Sequence, residues 1–399
     1  MTNQINDSQS LSLDLLGKCF KITEHTVDFD PWLLINEFAL LRKIADKLSK
    51  EVQSKIVTSE LTGICTLARS GIPLGVLLSL SLKKPLHFYF REPLRFEDQD
   101  KHMYHLYPPV NSGSNYLLVD SHIVTSYTSS SASEYIKSKG ANIVGLAVAY
   151  SFDDTIFSDN TKREFPIITL GSVTENNAFI SKLLGNIDAQ MLFSILKQRP
   201  VQQKYYPDSP YVPTRLLRAW ALSYGLMSRI KNGSNPFQVK RLDNTLSYKL
   251  LNTFGSQESE IWSLFSRPGV MQEIGHSMGN FLADESIDTI FAVGFIGTIV
   301  ALITAYFSNF SGSIFTTYKP IYWDDLIREQ NINRTIVTTG RLQTGMFMRG
   351  TCDFLERNYG ILPSKIVSLR HVPGGILPPR NLFPYYFLRG YESKLYTLS

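Results

Sequence analysis

Cysteine is scarce: Cys19, Cys65 and Cys352 stand far apart in a chain of 399 residues. That spacing excludes a disulfide framework and a zinc-ligand cluster, and it fits a reducing, cytoplasmic setting. An excess of charge is also lacking. Lys+Arg number 40 and Asp+Glu 35, for a net charge of +5, too little over this length to imply a nucleic-acid partner directly. No Walker loop, dinucleotide fingerprint or hydrolase elbow occurs. The opening residues, MTNQINDSQSLSLD, are polar and have no signal-peptide pattern. One stretch, Thr289 to Phe307, is apolar and long enough to cross a bilayer. Gly294 and Gly297 interrupt it, its start is β-branched and no basic cluster flanks it, so a buried strand, a glycine turn and a buried helix account for it without a membrane.

What is present is ordinary core material. Hydrophobic residues make up 43% and charged residues 19%, which excludes a disordered or fibrous chain. At about 150 residues per domain, the length predicts two or three domains.

Strand and helix patterns alternate from the start. Trp32 to Lys50 has apolar residues at helical spacing behind Pro31, a favoured first-turn residue. Ile64 to Ala68 is a short apolar run leading to Arg69-Ser70-Gly71, and Ile72 to Leu82 predicts a helix with Pro73 in its first turn. Leu86 to Phe90 predicts a strand, and Arg91 to Asn115 a long polar loop. Tyr116 to Val119 predicts a strand ending at Asp120. After it come a Ser/Thr-rich turn, a helix capped by Gly140 and a strand over Asn142 to Tyr150. Strand, turn, helix, strand in repetition means a parallel α/β sheet.

The middle differs. Helical periodicity runs over 176–198 and 214–231 on either side of a Pro/Tyr-rich stretch at 199–213. Then the first pattern recurs: a helix after Pro268, strands at Ile287 to Val293, Ser313 to Thr317 and Arg334 to Val337, a helix from Thr344 to Asn358 and a strand from Lys365 to Leu369. VDSHIVTSY (119–127) can be laid on VTTGRLQTG (337–345), and TLARSGIPLGVLLSLSL (66–82) on FAVGFIGTIVALITAYF (291–307). The order of elements predicts an internal duplication. The fold class is therefore α/β, with parallel-sheet domains at 15–152 and 236–372 joined by a helical insert at 153–235. The Pro- and aromatic-rich tail, 373–399, is expected to pack on a domain or a partner.

The series FKITEHTVDFDP (20–31), LARSGIPLG (67–75), KPLHFYFRE (84–92) and YLLVDSHIVTSYTSSSASEYIKSKGANIVGLAV (116–148) resembles the orotate phosphoribosyltransferase type of the type I phosphoribosyltransferases. The resemblance covers about 20–150 and, more weakly, 236–372. It implies two tandem phosphoribosyltransferase-like domains, each a parallel sheet with a small hood. It also implies a site where a strand ends in two acidic residues, followed by a Thr-Thr-Gly-x-Ser/Thr turn into a helix.

The chemistry explains that pattern. Phosphoribosyl pyrophosphate (PRPP) brings a 5′-phosphate, which backbone N–H groups and hydroxyls at a helix N-terminus hold. Its ribose hydroxyls donate to the carboxylates, and Mg2+ accompanies its pyrophosphate. The resemblance places Asp120, Ser121, Thr125, Ser126, Thr128 and Ser129 in the phosphate/ribose turn. It places Arg69, Ser70 and Gly71 along the pyrophosphate, and Arg91, Lys101 and His102 where a mobile loop would close and exclude water.

The departures from the family matter more. In one register Asp120 and Ser121 fill the acidic positions. In the register that agrees with the second repeat, Ser121 and His122 fill them and Tyr127 replaces the glycine. Neither supplies two carboxylates. The second repeat has Thr339 and Gly340 there, with Gln343-Thr344-Gly345 in the turn, and no charge in its pyrophosphate-loop counterpart, Gly294 to Thr298.

Plainer readings stand beside these. Ser and Thr after a strand often only cap a helix. His102 and His105 have metal spacing but no fixed acidic or cysteine companions, and Glu97, Asp98 and Asp100 read as solvated loop charges. Arg341 and Arg349 could hold phosphate, yet a lone helical Arg is usually a surface group.

Three functions follow as expectations. The leading one is a catalytically degenerate protein that binds a phosphorylated ribose or nucleotide ligand, with Mg2+ as an optional companion, and acts through a protein partner. The resemblance admits a bacterial defence system as the setting, because divergent relatives of the family occur in such loci. The alternatives are an active transferase or nucleoside/nucleotide glycosidase using Asp120, Lys101 and His102, and a non-binding scaffold. The family's orotate enzymes are dimers, so either a homodimer or a pseudo-dimer within the chain is expected.

Overall fold

The computed structural model describes residues 14–15, 17–22, 27–29, 31–67, 70–93, 102–124, 126–152, 165–172, 240–241, 264–317, 327, 332–342, 346–371 and 395–397. The chain divides into two compact units: Met1–Gln202 with Glu258–Met271, and Gln203–Gln257 with Gln272–Ser399. The expected helices at 176–198 and 214–231 and the stretch at 199–213 lie outside the described residues.

In the first unit a short antiparallel ribbon, β1 (Phe20–Ile22) and β2 (Val27–Phe29), leads to a 3-10 turn at Pro31–Glu37 and then α1 (Phe38–Lys55). The helix expected from Trp32 starts late. Trp32, Leu33, Leu34 and Ile35 are all buried, a consecutive run that a single α-helical face cannot hold. α1 itself buries Phe38, Leu41, Ile44, Leu48 and Val52 on one side. The rest of the unit is β3 (Gly63–Leu67), α2 (Ile72–Leu82), β4 (Leu86–Pro93), β5 (His102–Tyr107), β6 (Asn115–Ile123), α3 (Tyr127–Ser138), β7 (Asn142–Ser151) and β8 (Ile167–Ser172). The sheet order is β5-β4-β3-β6-β7-β8, parallel except for the β4–β5 pair. α2 is buried on nearly every residue, as its apolar sequence dictates.

Three expectations change here. The polar loop at 91–115 contains an edge strand: β4 continues to Pro93 and β5 returns beside it, with Phe88 opposite Tyr107 and Pro93 opposite His102. The aromatic residues of HMYHLY suit a pleated edge. β6 does not stop at Asp120 but pairs on through His122↔Tyr150 and Ile123↔Ser151. The first sheet also runs past the expected boundary at 152, because IITLGS forms β8 inside the supposed helical insert.

The second unit contains β9 (Lys240–Arg241), β10 (Thr289–Val293), α5 (Gly294–Phe307), β11 (Ser313–Thr316), β12 (Thr335–Leu342), α6 (Met346–Tyr359), β13 (Lys365–His371) and β14 (Leu395–Thr397). A preceding helix, α4, spans Pro268–Asp284. Four central strands and two short ones form an all-parallel sheet, β11-β10-β12-β13-β14-β9. The apolar stretch 289–307 is indeed a strand, a turn at Gly294 with φ +69°, and a buried helix. No helix among the described residues is long and apolar enough to cross a membrane. Within the tail, Leu395–Thr397 pairs with β13 as β14, and Pro373 to Lys394 lies outside the described residues.

Each unit, taken by itself, repeats the same local design. In the first, a Cβ on Gly71 would sit 2.5 Å from the Val119 carbonyl oxygen and 3.1 Å from Asp120 Cα. In the second, a Cβ on Gly297 would sit 2.8 Å from the Thr338 oxygen and 3.2 Å from Thr339 Cα. Only glycine lets the helix start come this close to the neighbouring strand. The coincidence lays Val119 on Thr338 and Asp120 on Thr339, one residue away from the overlay that the sequences suggested. Strand ends agree, since β6 stops three residues after Asp120 and β12 three after Thr339.

Candidate functional site

The order of strands decides where a ligand fits. From β3 the chain moves to β4 on one side and then returns to β6 on the other. At such a switch point the connections leave in opposite directions, and a crevice opens beyond the carboxyl ends of the two strands. In this unit those ends are Leu67, followed by the turn through Ser70-Gly71, and Asp120 to Ile123.

Two of the expected segments meet there. Ser70 Oγ donates to Asp120 Oδ1 at 2.8 Å, and the Ser121 N–H donates to the same oxygen at 2.7 Å. Ser121 Oγ lies 3.5 Å from that oxygen and 2.9 Å from His122 Nδ1. All these contacts converge on Oδ1, and Oδ2 has no partner among the described residues. Asp120 keeps part of its surface in solvent, yet its carboxyl is enclosed enough that desolvation pushes its pKa from 3.8 up to about 7. The hydrogen bonds from Ser70 and Ser121 oppose that rise without cancelling it. A small apolar hollow lined by Leu34, Leu41, Ile44 and Leu74 reaches Ser70 and Ser121.

The turn into α3 follows. Ser126 adopts a left-handed conformation, φ 56° and ψ 0°, which favours glycine and which few other residues take up. Tyr127, by contrast, is helical and 54% exposed. The left-handed position thus falls on Ser126 and not on Tyr127. Ser126 makes no side-chain capping bond, and α3 has no acidic residue in its first turn. The Ser129 hydroxyl instead donates back to the Ser126 carbonyl oxygen at 2.8 Å. The plain helix-cap reading thus does not account for Ser126, and the N-terminus of a three-turn helix is left without an anionic side chain of its own.

The other expected residues fall differently. Arg69, Lys101, Thr125, Thr344 and Gly345 lie outside the described residues, as do the side chains of Arg91, His102, His105, Arg341 and Arg349. Arg91 and His102 belong to the paired strands β4 and β5 rather than to a loop, so the mobile-loop expectation is corrected at those two positions. Thr128 is partly exposed in the first turn of α3. Thr339 is buried in β12, which also contains Gly340. The tie between Ser121 and His122 was not foreseen; adjacency in sequence was its only signal.

At the switch point of the second unit, threonines replace the charged group. Thr298 Oγ1 donates to the Gly294 carbonyl oxygen and lies 2.8 Å from Thr316 Oγ1, the Thr317 hydroxyl accepts from the Gly294 N–H, and the Thr338 hydroxyl donates to the Gly297 carbonyl oxygen. These hydroxyls satisfy one another and the backbone, leaving no carboxylate where Asp120 stands in the first unit.

Among the described residues the donor set does not fit a resident Mg2+. Mg2+ needs several hard oxygen ligands. The site offers one carboxyl whose charged form is disfavoured, and among the described residues no group of three acidic, His or Cys side chains could hold a metal.

No family model and no curated protein matches the chain. Among solved structures, part of the chain is similar in fold to UMP synthase of Leishmania donovani (16% identity, TM-score 0.37, 48% of this chain and 42% of that one). It is also similar to adenine phosphoribosyltransferase of Leishmania tarentolae (18%, TM-score 0.34, 42% and 89%). A third is orotate phosphoribosyltransferase of Aeropyrum pernix (16%, TM-score 0.35, 43% and 97%). The match thus spans less than half of the UMP synthase. Each likeness concerns the fold over less than half of this chain.

Proposed function

We propose that the first unit binds a phosphorylated ribose ligand of the nucleotide type at the carboxyl ends of β3 and β6. The observation that carries this reading is the Ser70–Asp120 hydrogen bond at the switch point. It joins the turn expected beside a pyrophosphate to the carboxyl expected beside a ribose. On this reading the phosphate sits at the N-terminus of α3, over Ser126 to Ser129, where the helix dipole favours an anion. Asp120 Oδ2 accepts a ribose hydroxyl. Arg69, next to Ser70 in sequence, supplies the positive charge.

Phosphoribosyl transfer itself is disfavoured. The second acidic position is Ser121, and the one carboxyl is half-protonated near neutral pH. The second unit, with Thr339 and Gly340 at the corresponding positions, is a scaffold derived from the same design. The protein then acts through a partner that senses the bound ligand, with a bacterial defence system as one setting.

The enclosure of the Asp120 carboxyl, held by Ser70 and the Ser121 N–H and pushed up to about 7 by desolvation, favours a second reading. Such a group suits general acid–base work on a base–ribose bond. Calorimetry with ribose 5-phosphate, adenosine and orotidine monophosphates and PRPP, with and without Mg2+, separates the two. The binding reading expects saturable binding of the monophosphates that survives EDTA, disappears in Asp120→Ala and releases no base. Release of free base supports the glycosidase reading. No saturable binding by any of these ligands overturns both and leaves the scaffold.

A further inference from the structure

Ser121 has one hydroxyl proton and two neighbours that compete for it. Its oxygen lies 2.9 Å from His122 Nδ1 and 3.5 Å from Asp120 Oδ1. Nothing in the function proposed above uses His122. Resting on that reading, we infer that His122 is a positioning residue for the ribose-binding carboxyl, acting through the Ser121 hydroxyl to make ligand capture proton-linked.

The hydroxyl has two arrangements. In the first, His122 Nδ1 carries a proton and donates to Ser121 Oγ, which in turn donates to Asp120 Oδ1. The carboxylate then holds three donors, counting Ser70 and the Ser121 N–H, and its charged form is favoured. In the second, Nδ1 accepts the Ser121 proton, the carboxylate loses a donor and its protonated form is favoured. A ribose hydroxyl donating to Oδ2 strengthens the carboxylate state. Binding therefore selects the first arrangement and puts the imidazole proton on Nδ1.

The surroundings hold the relay in place. The imidazole meets the edge of Phe152 at 5.9 Å, and its cross-strand neighbour is Tyr150. Tyr150, the only titratable residue on β7, is engaged elsewhere, since its hydroxyl donates to the Ser172 carbonyl oxygen at 2.8 Å. On β6 itself the titratable groups are Asp120, His122 and Tyr116. At the near end of α3 the titratable residue is the exposed Tyr127. Desolvation pushes the carboxyl's pKa up to about 7, and the Ser121 hydroxyl between carboxyl and imidazole ties the proton of one to that of the other.

The test begins without ligand. In the intact protein, the His122 ring nitrogens are followed by NMR from pH 5 to 9. The relay expects a two-step titration that collapses to one step in both Asp120→Asn and Ser121→Ala. A single step unchanged by both substitutions overturns the inference. Ribose 5-phosphate is then the probe, with affinity expected about tenfold weaker at pH 6 than at pH 8, as for a carboxyl titrating near 7. Ser121→Ala removes a donor to the carboxylate and moves the midpoint of that profile upward. His122→Asn keeps a hydrogen-bonding amide but cannot titrate, and it also moves the midpoint. Profiles identical to wild type in both variants overturn the inference. Coupled titration in a protein that binds no ribose 5-phosphate supports the relay and overturns the ligand reading.

Discussion

Asp120→Asn offers the most informative perturbation, because it should make the protein more stable and less functional at once. The amide oxygen can keep the bonds from Ser70 and the Ser121 N–H, while the new NH2 takes the position of Oδ2, which has no partner among the described residues. What disappears is the penalty on charge. A carboxyl raised from 3.8 to about 7 has its ionised form disfavoured by about 4 kcal/mol as an upper bound, and by about 2 kcal/mol once its remaining solvent contact is allowed for. Because the folded-state pKa lies above the unfolded one, wild type loses this stability as pH rises from about 4 to 7 and loses no more beyond it. The variant has no such loss. Its advantage should be small near pH 4, grow to about 2 kcal/mol by pH 7 and stay flat above, which for a unit of this size is a Tm rise of about 4–8 °C. Urea denaturation and thermal melts at pH 4.5, 6 and 8 measure it, with ribose 5-phosphate calorimetry alongside. A variant less stable than wild type at pH 8, or an advantage independent of pH, would refute the reasoning that this carboxyl is held at a cost.

Other perturbations probe the scaffold. Gly71→Ala places a Cβ 2.5 Å from the Val119 carbonyl oxygen; the backbone must yield, so a loss of about 1–3 kcal/mol is expected in chemical denaturation, with ligand binding weakened as the Ser70 turn is displaced. Phe265 is fully buried and packs edge-on against Phe88 at 6.1 Å, and its carbonyl oxygen accepts from the Leu86 N–H. Phe265→Ala should cost the first unit about 3–5 kcal/mol, with hydrogen exchange faster in β3 and β4. Burial holds the pKa of His87 below its usual value despite its bond to the Pro108 carbonyl oxygen at 2.8 Å. The unfolded chain therefore takes up the proton first as pH falls below about 6.5, and stability drops there. His87→Asn should flatten that part of the stability–pH curve, and denaturation midpoints at pH 5.5 and 7.5 check it.

Much of the fold was legible because burial dictates sequence so directly. The helix Ile72–Leu82, apolar all round behind a tolerated Pro73, and the strand–turn–helix of 289–307 follow from pattern and glycine placement alone. The misses have physical causes. HMYHLY sits among polar residues, and its strand exists because β4 offers an edge to pair with. IITLGS is too short to announce itself, and β7 provides its partner. At the candidate site, the resemblance named Ser70, Asp120, Ser121 and Ser126 and left two registers open; the close approach of Gly71 to Asp120 Cα and the left-handed turn at Ser126 arise only in the folded chain. The Ser70–Asp120 bond depends on which strands lie side by side, which no local window of sequence reports.

Hydrogen exchange with and without saturating ribose 5-phosphate tests the central claim most directly. A ligand at the switch point of the first unit should slow exchange at Ser70, Gly71, Ser121 and Ser126 to Ser129, and leave Gly294 to Thr298 and Thr338 to Thr339 unchanged. Protection at the threonine-lined turn of the second unit, or no protection in either unit, would contradict the account.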